Sequence, residues 1–290
     1  MSLAPVLGTY RLTEQQAYSM TLEAINVMGK GAEIDTAQSY GISKEVARAI
    51  EDGGRSVKVT TKIMDFSIEG VLEQERLFRS GENDGYIHTL LLHTPIAQDI
   101  VQNWEILSRL VANGELRIEN VGVSNFEIPH LTRLSATTFG MPTINQIEVN
   151  PFLQRRRLLE FHYLHDIATT AHSPLIKAER FEYFRPIADQ LGLTPAQVLL
   201  SWFAQRDSDV VVQPIPRTSV SRHLLENVMT ALAPVQLVKS HLDLIDSFEA
   251  MYGQFATHCK YISDYSPRRT PREAPRGTKC VNRKVQGSAN

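Results

Sequence analysis

The amino-acid sequence predicts an α/β protein, a single closed (β/α)8 TIM barrel followed by a basic C-terminal tail. Eight short β-rich segments alternate with segments of helical periodicity. Several β-rich segments are almost wholly apolar, as expected of parallel strands that are covered on both faces. The alternation runs without a linker over about 250 residues, the usual size of such a barrel. We expect the barrel to occupy residues 1–265 and the tail residues 266–290.

The predicted strands and helices follow one another in strict order along the chain. The strands are VLGTY, AEIDTA, VKVTTKI, IHTLLLH, ENVGVSNF, INQIEV, IATTAHS and DVVVQPIP, and the helices are 14–30, 43–51, 68–79, 97–113, 127–134, 156–164, 194–205 and 220–231. Thr194 and Pro195 are a typical N-cap and first-turn pair. Gly114 and Gly192 lie near helix ends, where a left-handed cap is useful.

A doubly wound open sheet is the alternative architecture. It would place a glycine-rich phosphate-binding turn directly after the first strand. The sequence there, LGTYRLTEQ, contains no such motif. This absence favours the closed barrel.

The composition is that of a folded domain. The chain has 30 basic and 32 acidic residues, a formal net charge of -2, and 42% hydrophobic residues. This charge balance is unlike that of a nucleic-acid-binding body. No apolar run approaches the roughly 18 residues of a membrane helix, and the start MSLAPVLGTY is unlike a signal peptide. We expect a cytoplasmic protein with no nucleic-acid or membrane partner.

The end of the chain differs in composition from the rest. Residues 266–290 contain seven basic residues, one acid and almost no apolar residues. Such a segment buries too little surface to offset the entropy of ordering, so we predict disorder. An arm that binds an anionic surface or nucleic acid weakly is the alternative. The two cysteines, Cys259 and Cys280, fit neither a metal site nor a disulfide framework, and we interpret them as free thiols.

Polar side chains occur at the predicted carboxyl ends of most strands. In a (β/α)8 barrel these ends form the rim that carries the active site. Successive positions are roughly one β/α repeat apart, with a longer segment before the last strand. They are Asp35, Lys62, His93, Ser124, Asn125, Gln146, His172, Ser173, Arg217 and Thr218, with Tyr40 shortly after Asp35.

Four of these residues suit proton transfer to an oxygen atom. Burying an acid, a lysine and a histidine around one cavity costs free energy unless they pair, so their convergence favours a functional site. An ammonium group at Lys62, held by Asp35, favours the phenolate form of Tyr40 and makes its hydroxyl a competent general acid. His93 can donate a hydrogen bond to a substrate carbonyl. We predict Asp35, Tyr40, Lys62 and His93 as the catalytic set, without a metal.

This set supplies a proton but no electrons, so a reduction needs a hydride carrier. Ser124, Asn125 and Gln146 are neutral donors and acceptors that fit a carboxamide.

A second group of residues suits an anion. Arg217 and Thr218 lie directly before a predicted helix, whose first N–H groups favour negative charge. Barrels often bind phosphate near the seventh and eighth strands. Arg217, Arg222 and His223 together favour a 2′-phosphate, and therefore NADPH over NADH.

The motifs, in this order, resemble those of the aldo-keto reductases. The resemblance covers about Val6 to Tyr252 and rests on DTAQSYG, VTTKI, LLLHTP, VGVSNF, INQIEVNPFLQ, AHSPL, TPAQVLLSW and IPRTS. The chain is most similar to short bacterial members of the 2,5-diketo-D-gluconate reductase B and methylglyoxal reductase type.

The resemblance implies an NADPH-dependent reduction of small aldehydes or ketones to alcohols by hydride transfer, with Tyr40 as proton donor, in a monomeric protein. It implies that the substrate contacts Tyr10, Tyr40, His93 and Thr94. The residues that it assigns to NADPH or NADP are Gly8, Thr9, Asp35, Ser124, Asn125, Gln146, His172, Ser173, Leu175, Arg217, Thr218, His223, Glu226 and Asn227.

Four positions depart from the family pattern. Tyr10 and Thr94 stand where Trp is frequent, His172 where an aromatic residue is usual, and His223 where an Arg is usual. The departures motivate one alternative, a catalytically weak or inactive cofactor-binding homologue. A lyase that uses Lys62 to form a Schiff base is a further alternative, but it has no need of the VGVSNF segment.

Overall fold

The structure, a computed structural model, describes residues 2–54, 56–64, 67–79, 86–96, 99–176, 178–206 and 210–252. Within these ranges eight strands form one parallel sheet in sequence order. The strands are β1 (Val6–Gly8), β2 (Glu33–Asp35), β3 (Lys58–Ile63), β4 (Tyr86–Leu92), β5 (Asn120–Ser124), β6 (Ile144–Glu148), β7 (Ala168–His172) and β8 (Val212–Pro214). The predicted (β/α)8 fold is confirmed.

The sheet closes on itself between its first and last strands. Gly8 on β1 forms a parallel bridge with Arg217, just beyond β8, and its amide donates to the Pro216 carbonyl at 2.9 Å. A Cβ at Gly8 would lie 3.1 Å from Cγ2 of Ile215 and 3.3 Å from the Pro216 carbonyl oxygen. A side chain there would be in tight contact with the chain after β8, which favours glycine at this point of closure.

Helices connect the strands on the outside of the barrel. They are α1 (Glu14–Met28), α2 (Ser43–Gly53), α3 (Ile68–Arg79), α4 (Ile100–Ala112), α5 (Ile128–Ser135), α6 (Arg156–Leu164), α7 (Arg185–Leu191), α8 (Pro195–Gln205), α9 (Ser221–Leu232), α10 (Lys239–Asp246) and α11 (Phe248–Tyr252). The sequence predicted all of these except α7, α10 and α11, which are short. Two 3-10 helices, Gln38–Tyr40 and Ala178–Phe184, were also not predicted.

Thr194, the predicted N-cap, begins α8 as expected. Thr194 accepts a hydrogen bond from the amide of Gln197, and the Gln197 side chain accepts one from the amide of Thr194. This reciprocal capping box satisfies two amides that the helix itself leaves unpaired. Gly192 ends α7 in the left-handed conformation, with φ 65°.

The main hydrophobic core lies between the strands and the helices. Side chains such as Ile34, Leu90 and Ile147 are completely buried there. Successive residues of a strand face opposite sides of the sheet. The strand residues that alternate with these core residues therefore point into the barrel. These inward positions at the carboxyl ends of the strands carry the polar side chains.

Aromatic side chains anchor the last helix that the structure describes. The ring of Phe152 stacks on that of Phe248 in α11 at a centroid distance of 5.8 Å, and the ring centres of Tyr183 and Tyr252 lie 4.8 Å apart.

None of the described helices is long and apolar enough to cross a membrane. The predicted tail at 266–290, Cys259, Cys280 and the predicted end of the barrel at 253–265 lie outside the described residues.

Candidate active site

A buried ion pair forms the centre of the rim. The amine of Lys62, near the end of β3, lies 2.7 Å from Oδ1 of Asp35, at the end of β2. It also donates to the Thr36 carbonyl at 2.8 Å. Lys62 is 1% exposed and Asp35 is 4% exposed. Burial lowers the pKa of the Lys62 amine, and the charge and hydrogen bond of Asp35 counteract this effect.

Tyr40 lies directly beside this pair. It ends the 3-10 helix Gln38–Tyr40, and Gly41 follows in the left-handed conformation, which turns the chain into α2. The Lys62 amine lies 5.3 Å from the centre of the Tyr40 ring. The rings of His93 and Tyr10 lie 6.0 and 5.1 Å from that of Tyr40. The structure therefore brings the four residues of the predicted catalytic set together.

Two further side chains hold His93. The hydroxyl of Ser39 lies 3.3 Å from Nδ1 of the imidazole, and the amide of Asn125 donates to the His93 carbonyl at 3.1 Å. Sequence reasoning did not single out Ser39, although it directly precedes Tyr40 in the DTAQSYG motif. The contact depends on the 3-10 turn, which the sequence pattern did not predict.

Gln146 reaches the ion pair from the far side of the barrel. Its amide nitrogen donates to Oδ2 of Asp35 at 2.7 Å. Its carbonyl oxygen Oε1 is buried and has no hydrogen-bond partner among the residues that the structure describes. A buried acceptor without a donor is unfavourable, so this atom is suited to receive an N–H group from a bound molecule.

Asn125 connects three strand ends. It has a positive φ of 65°, and its amide nitrogen donates to the carbonyl of His93 and to Oγ of Ser124. These acceptors fix the orientation of the amide, so its Oδ1 faces Nε2 of His172 at 2.9 Å. His172 must carry its proton on Nε2 to make this contact. Its Nδ1 lies 3.2 Å from the hydroxyl of Ser173, which also has a positive φ.

A buried polar cluster lies behind Asn125, on the outer side of the barrel. The side-chain amide of Asn145 donates to the Phe126 carbonyl at 2.8 Å and lies 3.0 Å from Nε2 of His162. Nδ1 of His162 lies 2.8 Å from the hydroxyl of Thr169. Burial lowers the pKa of His162 to about 4, so the imidazole is neutral at physiological pH. Sequence reasoning missed His162 and Thr169, because nothing in the local pattern links α6 to β7.

The predicted anion site lies before α9. The hydroxyl of Thr218 accepts from the amide of Val220 at 3.0 Å and thereby shapes the start of the helix. The guanidinium of Arg217 donates to the backbone carbonyls of Tyr10 and Arg11. The ring of His223 lies 3.4 Å from the Arg222 guanidinium. Basic groups and a helix N-terminus are thus adjacent here, as an anion requires.

The remaining predicted residues lie further from the ion pair or support the backbone. Thr9 donates its hydroxyl to the Asp35 carbonyl at 2.9 Å. Glu226 accepts from the Thr194 hydroxyl at 2.6 Å, and Asn227 is buried against the barrel wall beside a small cavity. Gly8 pairs with Asp35 between β1 and β2 and closes the barrel. Thr94 is buried after β4, and Leu175 packs against the core.

The arrangement is chemically suited to proton donation beside a positive charge. A phenol, an ammonium and an imidazole meet at one end of the barrel, where the exposed ring of Tyr10 marks the opening. Among the described residues, no cluster of histidine, cysteine or acidic side chains could hold a metal ion.

Comparison with known proteins agrees with the geometry. The family model described as the Aldo/keto reductase family matches residues 6–178. The 9,11-endoperoxide prostaglandin H2 reductase of Trypanosoma cruzi (strain CL Brener) is 35% identical over 205 residues, which cover 67% of this chain and 70% of that protein. The methylglyoxal reductase DkgA of Escherichia coli (strain K12) is 30% identical over 234 residues, 76% of this chain and 81% of that protein.

A solved structure is also similar to this chain in both fold and sequence. The crystal structure of a Gox0644 variant in complex with NADPH has a TM-score of 0.71 and 28% sequence identity, and the match covers 84% of this chain and 88% of that one. The family model matches more than half of the chain, and the two relatives align over two thirds or more of it. The resemblance predicted from the motifs is confirmed: the chain belongs to the aldo/keto reductase family.

Proposed function

We propose that this protein reduces small aldehydes or ketones to alcohols and uses NADPH as the hydride donor. The observation that carries the proposal is the buried Lys62–Asp35 pair with the rings of Tyr40 and His93 beside it. Family membership and the NADPH complex of the Gox0644 variant support it.

The residues on the rim fit this cofactor at both of its ends. The unpartnered Oε1 of Gln146 suits the N–H groups of a carboxamide, with Ser124 and Asn125 next to it as further polar groups. Arg217 and Thr218 at the start of α9 suit a phosphate. NADPH bound between them supplies a hydride to the substrate carbon.

The protein's own residues handle the proton. The hydroxyl of Tyr40 donates a proton to the carbonyl oxygen as the carbon gains hydride, which converts the C=O group to CH–OH. The Lys62 ammonium stabilises the phenolate that remains on Tyr40 until solvent returns the proton. Asp35 fixes the ammonium, and the His93 imidazole orients the substrate oxygen.

The proposed substrates are small carbonyl compounds that enter beside Tyr10. Tyr10 is 52% exposed and its ring lies against that of Tyr40, while Thr94, next to His93 in the chain, is buried. Methylglyoxal is a suitable first substrate because DkgA, a methylglyoxal reductase, is among the relatives. The monomeric state and the cytoplasmic location remain predictions from the sequence.

A turnover assay tests this function. The loss of NADPH absorbance is followed with methylglyoxal and with 4-nitrobenzaldehyde, and NADPH binding is measured separately by protein fluorescence. We expect turnover with at least one of the two substrates. Tight NADPH binding and thermal stabilisation without turnover over a wider aldehyde panel would instead establish the cofactor-binding homologue that the departures at Tyr10, Thr94, His172 and His223 suggest.

The Schiff-base lyase is disfavoured by the contacts of Lys62. Its amine donates to Asp35 and to the Thr36 carbonyl, and the adjacent carboxylate favours the ammonium form, which has no lone pair for attack on a carbonyl carbon. Borohydride treatment with a ketone substrate should leave no adduct on Lys62.

A further inference from the structure

The side chain of Arg217 connects the segment after the last strand, β8, with the loop after the first strand, β1. Its Nε donates to the Tyr10 carbonyl at 3.1 Å, and its Nη2 donates to the Arg11 carbonyl at 2.9 Å. These carbonyls belong to the loop between β1 and α1, while Arg217 follows β8. The guanidinium therefore holds a loop that is about 200 residues distant in sequence.

The held loop is strained and in need of support. Arg11 has a positive φ of 58°, a conformation that costs a non-glycine residue about 1 kcal/mol or more. Within the loop, the amide of Leu12 donates to the Thr9 carbonyl at 3.1 Å. The two hydrogen bonds from Arg217 fix the carbonyl groups directly before and after the Cα atom of Arg11.

The loop in turn positions an aromatic ring at the mouth of the site. The ring of Tyr10 lies 5.1 Å from that of Tyr40, and the guanidinium of Arg11 lies 5.2 Å from the centre of the Tyr10 ring. A shift of the Tyr10 backbone would move its ring relative to the Tyr40 hydroxyl, where the substrate is proposed to bind.

The guanidinium can serve a second ligand at the same time. Its five N–H donors form a planar fork, and the loop carbonyls occupy only the edge formed by Nε and Nη2. The edge formed by Nη1 and Nη2 has the geometry for a bidentate contact with a phosphate.

We propose that Arg217 is a positioning residue that couples an anion at the start of α9 to the Tyr10 loop, so that binding of the cofactor's 2′-phosphate tightens the substrate pocket. The proposal rests on the proposed function, since it takes the anion to be that phosphate. Such coupling is reciprocal: whatever fixes the guanidinium fixes the loop, and a fixed loop favours the bound phosphate. A coupling of about fivefold or more is typical.

Hydrogen exchange measures the loop without any turnover. The amides of Thr9 and Leu12 are followed in the native chain and in Arg217→Lys, alone and with 2′,5′-ADP or 5′-ADP, which lacks the 2′-phosphate. The lysine keeps the charge but has no planar fork for two carbonyls and a phosphate. Arg217→Gln is the second variant, and Arg133→Lys, on the exposed face of α5, is the control.

In the native chain we expect 2′,5′-ADP to slow exchange at these amides about fivefold more than 5′-ADP does. In both Arg217 variants exchange should be faster without a ligand, and the difference between the nucleotides should disappear. Native exchange rates in the unliganded variants, with the protection by 2′,5′-ADP retained, would overturn the proposal. If neither nucleotide binds to the native chain, the NADPH assignment fails, whereas exchange in the unliganded variants still tests the link to the loop.

Kinetics provide a second measurement if the protein turns over. With NADH as cofactor, which carries no 2′-phosphate, Arg217→Lys should still raise the KM for the aldehyde by about fivefold, a larger change than the change in kcat. If Arg217 acts only on the phosphate, Arg217→Lys will change the KM and kcat measured with NADPH but not those measured with NADH. That result would contradict the coupling.

Discussion

The side-chain amide of Gln146 donates to Oδ2 of Asp35 at 2.7 Å, across the interior of the barrel from β6 to β2. Lys62 occupies the other carboxylate oxygen at the same distance. The acid is therefore held on both sides by donors and serves as a shared anchor. One donor belongs to the proposed proton-transfer group and the other to the proposed carboxamide site, so a change at Asp35 affects both.

Tyr40→Phe tests the proton donor. Removal of the hydroxyl should lower kcat by about two to four orders of magnitude, because general acid catalysis contributes a factor of this size. The ring contacts with Tyr10 and His93 are retained, so the Kd for NADPH should remain within about twofold. Equal turnover in the variant and the native protein would exclude Tyr40 as the donor.

Lys62→Met tests the buried pair. The variant should lose turnover and also become less stable by about 3–5 kcal/mol, because the carboxylate of Asp35 would remain buried without its positively charged partner. Urea denaturation measures the free energy of unfolding. The double variant Lys62→Met with Asp35→Leu is the control, and it should recover part of the stability but none of the activity. A single variant as stable as the native protein would show that the pair is not buried in solution.

Gln146→Met tests the unpartnered acceptor. The substitution keeps the length of the side chain but removes both the donor to Asp35 and the free Oε1. The Kd for NADPH should rise about tenfold, the value of one lost hydrogen bond of about 1.4 kcal/mol. The affinity for 2′,5′-ADP, which has no nicotinamide, should not change. A parallel loss of affinity for both molecules would point to a general disturbance of the barrel.

Acid should destabilise the protein through two buried histidines. Burial lowers the pKa of His130 and of His162 from 6.5 to about 4. Between these values the unfolded chain binds more protons than the folded one, so the free energy of unfolding falls as the pH drops from about 6.5 towards 4. Each histidine contributes up to about 3 kcal/mol to this loss.

Urea denaturation near pH 7 and near pH 5 measures this effect. In His162→Gln the decrease in stability between the two pH values should be smaller, because one titrating group is gone. Leu164→Gln, at an exposed position of the same helix, should behave as the native protein does. An unchanged pH dependence in His162→Gln would contradict a neutral, buried His162.

The cluster behind Asn125 should affect cofactor binding through the backbone of Phe126. Thr169→Val keeps the shape of the side chain but removes the hydroxyl next to Nδ1 of His162, which frees the imidazole and hence the amide of Asn145. We expect a several-fold higher Kd for NADPH and a restored value in Thr169→Ser. Thr21→Val, where a buried hydroxyl has no hydrogen-bond partner within the described part of the chain, is the matched control for stability. Equal affinities in Thr169→Val and Thr21→Val would assign the cluster a purely structural role.

The strands, most helices and the four residues of the predicted catalytic set could be predicted from the sequence because their signals are local. The apolar runs of β4 and β5, and the capping box at Thr194, are formed by residues close to one another in the chain. Polar residues at successive strand ends then converge because a parallel barrel places all these ends on one rim. The short helix α7 was missed because its seven residues are too few for a periodic pattern.

The sequence by itself thus determined the barrel, the family and the side chains that lie on the rim. Only the tertiary structure decided how these side chains are paired: Gln146 with Asp35, His172 with Asn125, and Arg217 with the Tyr10 loop. Such contacts join residues far apart in the chain, and they depend on strand register and on the closure at Gly8, which no local periodicity encodes. Periodicity reports which face of an element is buried, whereas hydrogen bonds between elements require their relative positions in space.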